Sequence, residues 1–319
     1  MSTALQLGAI VVGVALIVWG AETFAKHLAI ASTRLGVSMF ALAILLAGAE
    51  PEELATAVTA SLRRSAGIAL GDVIGANVAV CLVALGVGAV IAPLPFGRSV
   101  RRYAILGLPL GAISAGLAWN GEVTRLEGVA LVALYVAYVT TIWVVERRPP
   151  ALGEIGELDE AREATNTARQ RRVGRELGLV LLGVVAMAGG AILLVDGVRA
   201  LSDVESTQTR LGLTLVGFAT AFELVVLAYS AARHHVSEAV VAGVIGSFAY
   251  NVTMTLGAGA LAHPLRITNA TQLHAPWILM VASLALAIAL GAPKGRLTRR
   301  SGIVLLAAYP LVVTIMLTA

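Results

Sequence analysis

Long apolar runs separated by short polar segments make up most of the chain. A transmembrane α-helix needs about 17 to 25 predominantly apolar residues to cross the hydrocarbon core of a bilayer. Ten stretches of the chain approach or reach this length, with limits at 5–28, 36–61, 68–92, 103–119, 126–145, 176–200, 210–232, 237–262, 274–291 and 302–318. The pattern therefore predicts an all-α membrane protein with ten transmembrane helices.

One long polar stretch interrupts this series. Residues 146–175 lie between the fifth and sixth spans, begin with the sequence ERRPP and are rich in Glu, Arg and Ala. We interpret the stretch as a solvated linker with room for a surface helix over 156–172. It divides the chain into a first five-helix repeat, 1–145, the linker, 146–175, and a second five-helix repeat, 176–319.

The two halves are similar in sequence when the second is laid over the first. The alignment pairs Glu52 with Glu223 and continues without a gap from residue 45 to residue 94. It also matches Val73-Ile74-Gly75 with Val244-Ile245-Gly246, Leu85-Gly86 with Leu256-Gly257, and Pro93-Leu94 with Pro264-Leu265. Because five spans is an odd number, the two halves would have opposite orientations in the membrane. Inverted repeats are typical of secondary transporters, whose substrate site lies near the midplane between the repeats.

The composition agrees with a membrane protein. Of the 319 residues, 58% are hydrophobic and 13% are charged, against about 25% charged residues in soluble domains. The single cysteine, Cys81, lies in an apolar run, so a disulfide framework is excluded. We expect the first apolar run to be a retained span, because no basic region precedes it.

The basic residues are distributed unevenly between the loops. With the N-terminus outside, 17 of the 23 Lys and Arg residues lie on the inner side. The positive-inside rule then predicts that both termini are outside and that the linker is cytoplasmic. This distribution explains the pI of about 9.6, so we do not expect nucleic acid as a partner. We expect a multi-pass protein of the cell membrane, plasma or inner, with a monomer as the transport unit.

Two glutamates lie near the middle of predicted spans, Glu52 in the second and Glu223 in the seventh. A carboxylate at bilayer depth costs at least about 2.5 kcal/mol and is a candidate functional residue by default. The repeat would bring the two together at its pseudo-two-fold axis. Paired carboxylates with backbone carbonyls form a hard-oxygen site suited to calcium. The alternative is a pair of protonated glutamates that serve only packing.

A helix break is predicted beside the first of these glutamates. Pro51 removes a helical hydrogen bond and clashes with the carbonyl of Ala47, and Gly48 lets the chain bend. The carbonyls freed by such a break can bind a cation where they line a polar cavity. In the second half Phe222 stands in place of the proline. Any opening there would have to come from Gly217, Ala219 and Thr220.

Further polar residues lie in the third and eighth spans. Ser247 and Asn251 are one helical turn apart and therefore share a face, which could present oxygens to Glu223. Small residues around them allow close helix approach whatever the function. Asp72 lies about one turn into the third span, where it could face a vestibule.

Glu50 is an additional acid next to the predicted break. On an uninterrupted helix it would lie about 200° around the axis from Glu52. Both side chains could therefore face one site only if the helix is unwound at Pro51.

At these residues the chain resembles the cation/calcium exchanger superfamily, the sodium/calcium exchangers and their relatives. Each repeat of that family carries a motif G-T-S-L-P-E followed by G-[ND]-x-x-G-S-N-x-x-[ND]. Here residues 47–52 read AGAEPE and 71–80 read GDVIGANVAV, while 218–223 read FATAFE and 242–251 read AGVIGSFAYN. The resemblance implies ten helices in inverted five-helix repeats with the N-terminus outside. It also implies that Glu52 and Glu223 bind calcium together with backbone carbonyls.

The candidate cation-binding residues follow from the charges and from the resemblance together. The full set is Glu52, Glu223, Gly48, Ala219, Thr220, Ser247, Asn251, Val216, Asn77, Asp72 and Glu50.

The two motifs differ in their hydroxyl groups. In the family, serine hydroxyls around each glutamate bind sodium. The second repeat retains a sodium-like set, formed by Glu223, Thr220, Ser247 and the Val216 carbonyl. The first repeat has Ala49 and Ala76 where the family has hydroxyl groups. We hypothesise an exchanger with fewer sodium sites, or one coupled to protons, because a poorly hydrated carboxylate can trade a proton for a cation.

Two functions remain open from the sequence. The first is alternating-access antiport of Ca²⁺, or a similar divalent cation, against Na⁺ or H⁺. The second, motivated by the missing hydroxyls, is a degenerate family member that acts as a cation-binding sensor, leak or structural subunit. An enzyme is not predicted, because we find no phosphate-binding loop, no His/Cys metal cluster and no soluble domain. We expect no cofactor, and we expect inorganic cations and the lipid bilayer as partners.

Overall fold

The computed structural model describes residues 3–35, 50–146, 173–233 and 238–318. In these ranges the chain is helical apart from four two-residue strands and short connections. Eight helical stretches of the described part are long and apolar enough to cross a membrane. The predicted span 36–61 and the linker lie mostly outside the described residues, and the surface helix considered over 156–172 lies wholly outside them. The count of ten spans therefore stays a prediction.

The first half begins with one long helix and continues with shorter elements. They are α1 (Thr3–Arg34), α2 (Pro51–Leu62), α3 (Ala66–Ala79), a π-helix (Val80–Ala84), α4 (Leu85–Ile91), β1 (Leu94–Pro95), α5 (Arg98–Leu117), β2 (Glu122–Val123) and α6 (Arg125–Glu146). The predicted fourth span corresponds to α5. This helix is not among the eight apolar stretches, and its first two turns carry Arg98, Arg101 and Arg102.

The second half has a similar series, with additional described elements before α10. Its elements are α7 (Val173–Leu201), α8 (Glu205–Leu211), a π-helix (Gly212–Val216), α9 (Gly217–Thr220), α10 (Phe222–Arg233), α11 (Glu238–Tyr250), a π-helix (Asn251–Thr255), α12 (Leu256–Ala262), β3 (Leu265–Arg266), α13 (Thr271–Gly291), a 3₁₀-helix (Ala292–Lys294), β4 (Arg296–Leu297) and α14 (Arg299–Thr318).

The element boundaries recur in the same register that aligns the two halves in sequence. The helices α2 and α10 begin at Pro51 and Phe222, and the π-helices Val80–Ala84 and Asn251–Thr255 occupy corresponding positions. Single π-turns are rare and often occur at functional sites. The similarity between the halves therefore includes helix ends and an uncommon backbone feature, as well as residue types.

Two of the apolar stretches form the interior. In Ala66–Ile91 and Val241–Ala262, 78% and 89% of the most apolar segment is buried, against 22–44% in the other six stretches. The outer helices instead expose large apolar side chains such as Leu126, Leu181 and Leu311. Since a bilayer solvates such faces, polar residues of the two inner stretches lie away from lipid.

The two halves pack closely against each other around α3. A Cβ atom added at Gly217 would lie 2.5 Å from the backbone nitrogen of Ala76, and one added at Gly75 would clash with the carbonyl of Leu213. Only a glycine allows backbones to approach this closely. The contact sets α9 of the second half directly beside α3 of the first half.

The long helices α1 and α7 pack along much of their length through pairs of glycines. A Cβ atom added at Gly190 would lie 2.6 Å from the carbonyl oxygen of Gly13, and Gly20 and Gly183 meet in the same way. Small residues are the usual means of close helix packing in a membrane. Near one end of this pair, His27 of α1 contacts Glu176 of α7.

Two short antiparallel strand pairs also join the halves. Leu94 pairs with Leu297 in β1–β4, and Glu122 pairs with Arg266 in β2–β3. In the second pair, Nη2 of Arg266 lies 2.6 Å from Oε1 of Glu122. The loops at the helix ends are thereby tied across the repeat boundary.

Candidate cation-binding site

The two central glutamates occupy the same position on two helices. Glu52 is the second residue of α2, after Pro51, and Glu223 is the second residue of α10, after Phe222. Proline suits the first position of a helix, because its missing N–H would have no intrahelical acceptor there. The first turn also favours a carboxylate through its free N–H groups and the helix dipole. The local structure therefore favours an acidic residue at both positions.

The second half has its own helix interruption, at Ala221 between α9 and α10. The Ala221 N–H reaches the Gly217 carbonyl at 3.3 Å, and the Val225 N–H reaches the Ala221 carbonyl at 3.4 Å, both longer than usual. The interruption directly follows Gly217, Ala219 and Thr220, where we expected any opening to arise. The carbonyls of Gly217 and Ala219 both accept the Ala221 N–H.

Glu50 joins the two glutamates into one cluster. Its backbone has φ −115° and ψ 81°, outside the helical region, so α2 is unwound before Pro51. The buried Glu50 carboxyl is in hydrogen-bonding contact with Glu52 and with the Ser247 hydroxyl, and its charge interacts with that of Glu223. Glu50 and Glu52 could face one site only if the helix is unwound at Pro51, and the backbone of Glu50 meets this condition.

Thr220 faces Asp72 across the contact between the halves. The Thr220 hydroxyl lies 3.0 Å from Oδ1 of Asp72, 3.2 Å from the Val216 carbonyl and 3.4 Å from the Gly217 carbonyl. Ser247, the other hydroxyl of the predicted sodium-like set, interacts with Glu50. Asp72 is only 1% exposed, so the vestibule position considered for it is wrong.

Glu53 is a buried acid that the sequence reasoning did not single out. It is 1% exposed, and within the described part neither of its carboxylate oxygens has a hydrogen-bond partner. Its charge interacts with those of Asp72 and Glu52. The available signal was the occurrence of three acids within four residues, Glu50, Glu52 and Glu53, at the start of a predicted break.

The amide side chains lie in the same interior. Asn251 is fully buried, and its Nδ2 lies 3.4 Å from the Ser247 hydroxyl, so these two residues share a face as predicted. Asn77 donates to the Val73 carbonyl at 2.9 Å. Its buried Oδ1 has no hydrogen-bond partner within the described part. The hydrogen bonds of Asn77 do not involve the carboxyl groups.

Two predicted positions add little to this description. Gly48 lies outside the described residues. Ala219 is half-buried and contributes through its carbonyl, which is already an acceptor.

The chemistry of the cluster is that of hard oxygen donors. Among the described residues, no three His, Cys, Asp or Glu side chains converge in a preformed metal-binding arrangement. A bound cation would therefore also need hydroxyl, amide or carbonyl oxygens. These are the donors that sodium, calcium and other hard cations take in proteins.

Comparison with known proteins identifies similar sequences over nearly the whole chain. The profile of the family described as "Sodium/calcium exchanger protein" matches residues 5–144 and 176–318. An uncharacterised membrane protein of Methanocaldococcus jannaschii is 26% identical over 293 residues, covering 92% of this chain and 89% of the relative. The sodium/calcium exchanger MaX1 of Methanosarcina acetivorans is 24% identical over 333 residues, covering 94% and 95%. A putative antiporter, CaxA of Alkalimonas amylolytica, is 23% identical over 307 residues, covering 94% and 95%.

Solved structures of the sodium-calcium exchanger NCX_Mj have a similar fold. The structure soaked with 10 mM Na⁺ and zero Ca²⁺ superposes with a TM-score of 0.62 at 24% identity, covering 98% of this chain and 99% of that chain. The structure soaked with 2.5 mM Na⁺ and 10 mM Sr²⁺ gives a TM-score of 0.62 at 25% identity, with the same coverage.

Proposed function

Because the chain belongs to the sodium/calcium exchanger family, whose members are membrane cation antiporters, we propose that it exchanges Ca²⁺, or a similar divalent cation, for Na⁺ or H⁺ by alternating access. Among its relatives, one is named a sodium/calcium exchanger and another a putative antiporter. These names support the reaction class for this chain.

The observation that carries the proposal is the position of Glu52 and Glu223. Each is the second residue of a helix, at matching places in the two halves. Glu50 contacts Glu52 and interacts with Glu223; Glu50 and Glu52 are buried, and Glu223 is partly buried. Carboxyl groups gathered in a dry interior need a compensating cation or proton. In an exchanger, the transported cation and its counter-ion occupy such a site one after the other and compensate its charge.

The site we propose lies between two inverted five-helix repeats, near the midplane of the membrane. In this arrangement ten helices span the bilayer, both termini lie outside and the linker 146–175 lies in the cytoplasm. The protein would act as a monomer in the plasma or inner membrane. The recurrence of helix ends and π-turns in the register that pairs Glu52 with Glu223 supports the repeat.

The hydroxyl groups of the site support a weaker or altered sodium coupling. Ala76 is fully buried, and its backbone packs against Gly217 of the opposite half. No hydroxyl is present at this position of the first half. The same observation favours the second candidate function, a family member that binds cations without coupled exchange.

Calcium uptake into proteoliposomes separates these possibilities. Purified protein is reconstituted, and uptake of radioactive Ca²⁺ is measured under an outward sodium gradient and, separately, under a pH gradient. Uptake against the calcium gradient in either case supports antiport, and the driving gradient identifies the counter-ion. Dissipation of both gradients without driven uptake would support a leak, and no calcium movement would contradict the proposed transport.

A further inference from the structure

A long apolar groove lies between α2 and the pair of long helices α1 and α7, with a volume of about 770 Å³. Residues at the spacing of one helix face line it along the whole of α2, namely Pro51, Leu54, Ala55, Val58, Thr59 and Leu62. The buried residues Glu52, Glu53 and Thr56 of the same helix do not line the groove. The helix α2 therefore separates the groove from the acids.

The opposite wall of the groove comes mainly from α1 and α7. Phe24 of α1 and Met187 and Ala188 of α7 are among its lining residues. The groove is open along its side, since Leu62 is 62% exposed and Ile192 is 40% exposed. Lipid tails are about as apolar as leucine side chains, so in a membrane a hydrocarbon chain can fill such a cleft.

The groove has the length of one lipid leaflet. The 12 residues of α2 rise over about 18 Å, and half of the hydrocarbon core of a bilayer is about 15 Å thick. The end of the groove at Pro51 adjoins Glu52, which we place near the midplane. The other end, at Arg63, is then close to the membrane surface. An acyl chain of one leaflet would extend along this path.

The surface end of the groove is basic. Nη2 of Arg63 lies 3.0 Å from Oδ2 of Asp196, and Nη1 of Arg199 lies 3.8 Å from Oδ1 of the same carboxylate. Because two arginines share one aspartate, this rim has an excess of positive charge. Both guanidinium groups are more than 40% exposed. Guanidinium groups bind phosphate oxygens through pairs of N–H donors.

We propose that the groove binds an anionic phospholipid, with one acyl chain along α2 and the phosphate at Arg63. The chain then packs between α2 and the α1–α7 pair, and its end contacts Pro51, the residue before Glu52. The lipid covers the apolar face of the helix whose other face carries the acids. Lipid binding requires no transport, so it is tested separately from the proposed exchange.

Binding is measured on the full-length protein in detergent, with phosphatidylglycerol, with phosphatidylcholine of the same acyl chains and with the matching diacylglycerol. Native mass spectrometry counts the bound lipids. Thermal unfolding gives the affinity, because a ligand of the folded state raises the unfolding midpoint. For wild type we expect one retained phosphatidylglycerol, and stabilisation that decreases from phosphatidylglycerol through phosphatidylcholine to diacylglycerol. Inorganic phosphate alone should not stabilise the protein, because the acyl chain makes most of the contact.

A pair of variants on α7 tests the groove. Ala188→Phe places a ring in the groove from an exposed position. All three lipids should then bind about tenfold more weakly or worse, since lost contact with about two methylene groups has this effect. Val185→Phe is the matched control, because Val185 is 60% exposed and does not line the groove. It should bind lipid like wild type.

A second pair of variants tests the headgroup and does not alter the apolar walls. Arg63→Gln should weaken phosphatidylglycerol binding by about fivefold and leave diacylglycerol binding unchanged. Arg125→Gln removes an exposed basic residue at the start of α6 that does not line the groove, and should leave both unchanged.

Several results would overturn the site. Equal weakening by Ala188→Phe and Val185→Phe would mean general solvation of the outer helices by lipid. Unchanged phosphatidylglycerol binding in Arg63→Gln, or stabilisation by inorganic phosphate alone, would refute a phospholipid anchored at this rim. A dimer that Ala188→Phe dissociates, with no lipid retained, would assign the groove to a second copy of the chain. A reconstituted protein that fails to exchange ions would contradict the proposed function and leave the lipid result intact.

Discussion

His27 on α1 and Glu176 on α7 form a buried pair, with Nδ1 of the histidine 2.6 Å from Oε2 of the glutamate. Glu176 is fully buried and His27 is 14% exposed. The pair lies outside the candidate cation site, between the two long helices that pack through glycines. It therefore offers a test of the fold that does not depend on the function.

Removal of one member of this pair should destabilise the protein. His27→Leu leaves the Glu176 carboxyl buried without its partner, which in buried pairs costs about 3–5 kcal/mol. The double variant His27→Leu/Glu176→Leu removes both polar groups and should recover much of this loss. Thermal unfolding midpoints in detergent measure the difference. If the double variant is as unstable as the single one, the pair is not the source of the effect.

The packing of α1 on α7 predicts opposite behaviour for two adjacent glycines. A Cβ atom at Gly190 would lie 2.6 Å from the Gly13 carbonyl oxygen, whereas one at Gly189 meets nothing within 4 Å. Gly190→Ala should therefore destabilise by about 1–3 kcal/mol through overpacking. Gly189→Ala should be neutral or slightly stabilising, because alanine is the better helix former. Unfolding midpoints of the two variants, compared under one condition, check this. Equal effects would contradict the close approach.

Transport should depend on both central glutamates. Glu52→Gln and Glu223→Gln each remove a carboxylate from the proposed divalent site, so calcium uptake into proteoliposomes should fall by at least about a hundredfold. Size-exclusion profiles and helical content should stay unchanged. Glu122→Gln, which changes only a surface ion pair, serves as the matched control. Normal transport by both single variants would remove these residues from the site.

Glu50 should tune calcium affinity. Its carboxyl contacts Glu52 and Ser247 from outside the helix, so Glu50→Gln keeps the hydrogen-bonding shape and removes one charge. We expect apparent calcium affinity to weaken by about tenfold, a difference of about 1.4 kcal/mol, while maximal uptake is largely retained. Uptake measured over a range of calcium concentrations separates the two parameters. A lower maximal rate at unchanged affinity would argue against a ligand role.

Much of the architecture could be predicted from the sequence. Apolar runs of sufficient length indicate membrane helices, and the register that pairs Glu52 with Glu223 also pairs the starts of their helices. These features depend on local composition and on register. The family profile, the relatives and the fold comparison then confirm the family resemblance found in the motifs.

The details of the site depend on tertiary contacts and could not be predicted. The residue at which a helix begins decides which side chains of an acidic segment face inward. Because α2 begins at Pro51, Glu50 lies outside the helix and interacts with Ser247. The burial of Asp72 follows from the close approach of Gly217 to α3. Glu53 was overlooked because the burial of its side chain depends on how α2 packs against the rest of the protein.

The two halves contribute different oxygen donors to the site. Four of the acids, Glu50, Glu52, Glu53 and Asp72, come from the first half, whereas the hydroxyls of Ser247 and Thr220 come from the second. The two halves therefore make different contributions to the site. A chimera built from two first halves would concentrate negative charge without these hydroxyls, and one built from two second halves would keep only the Glu223 carboxylates. Each half therefore depends on oxygen donors that the other half supplies.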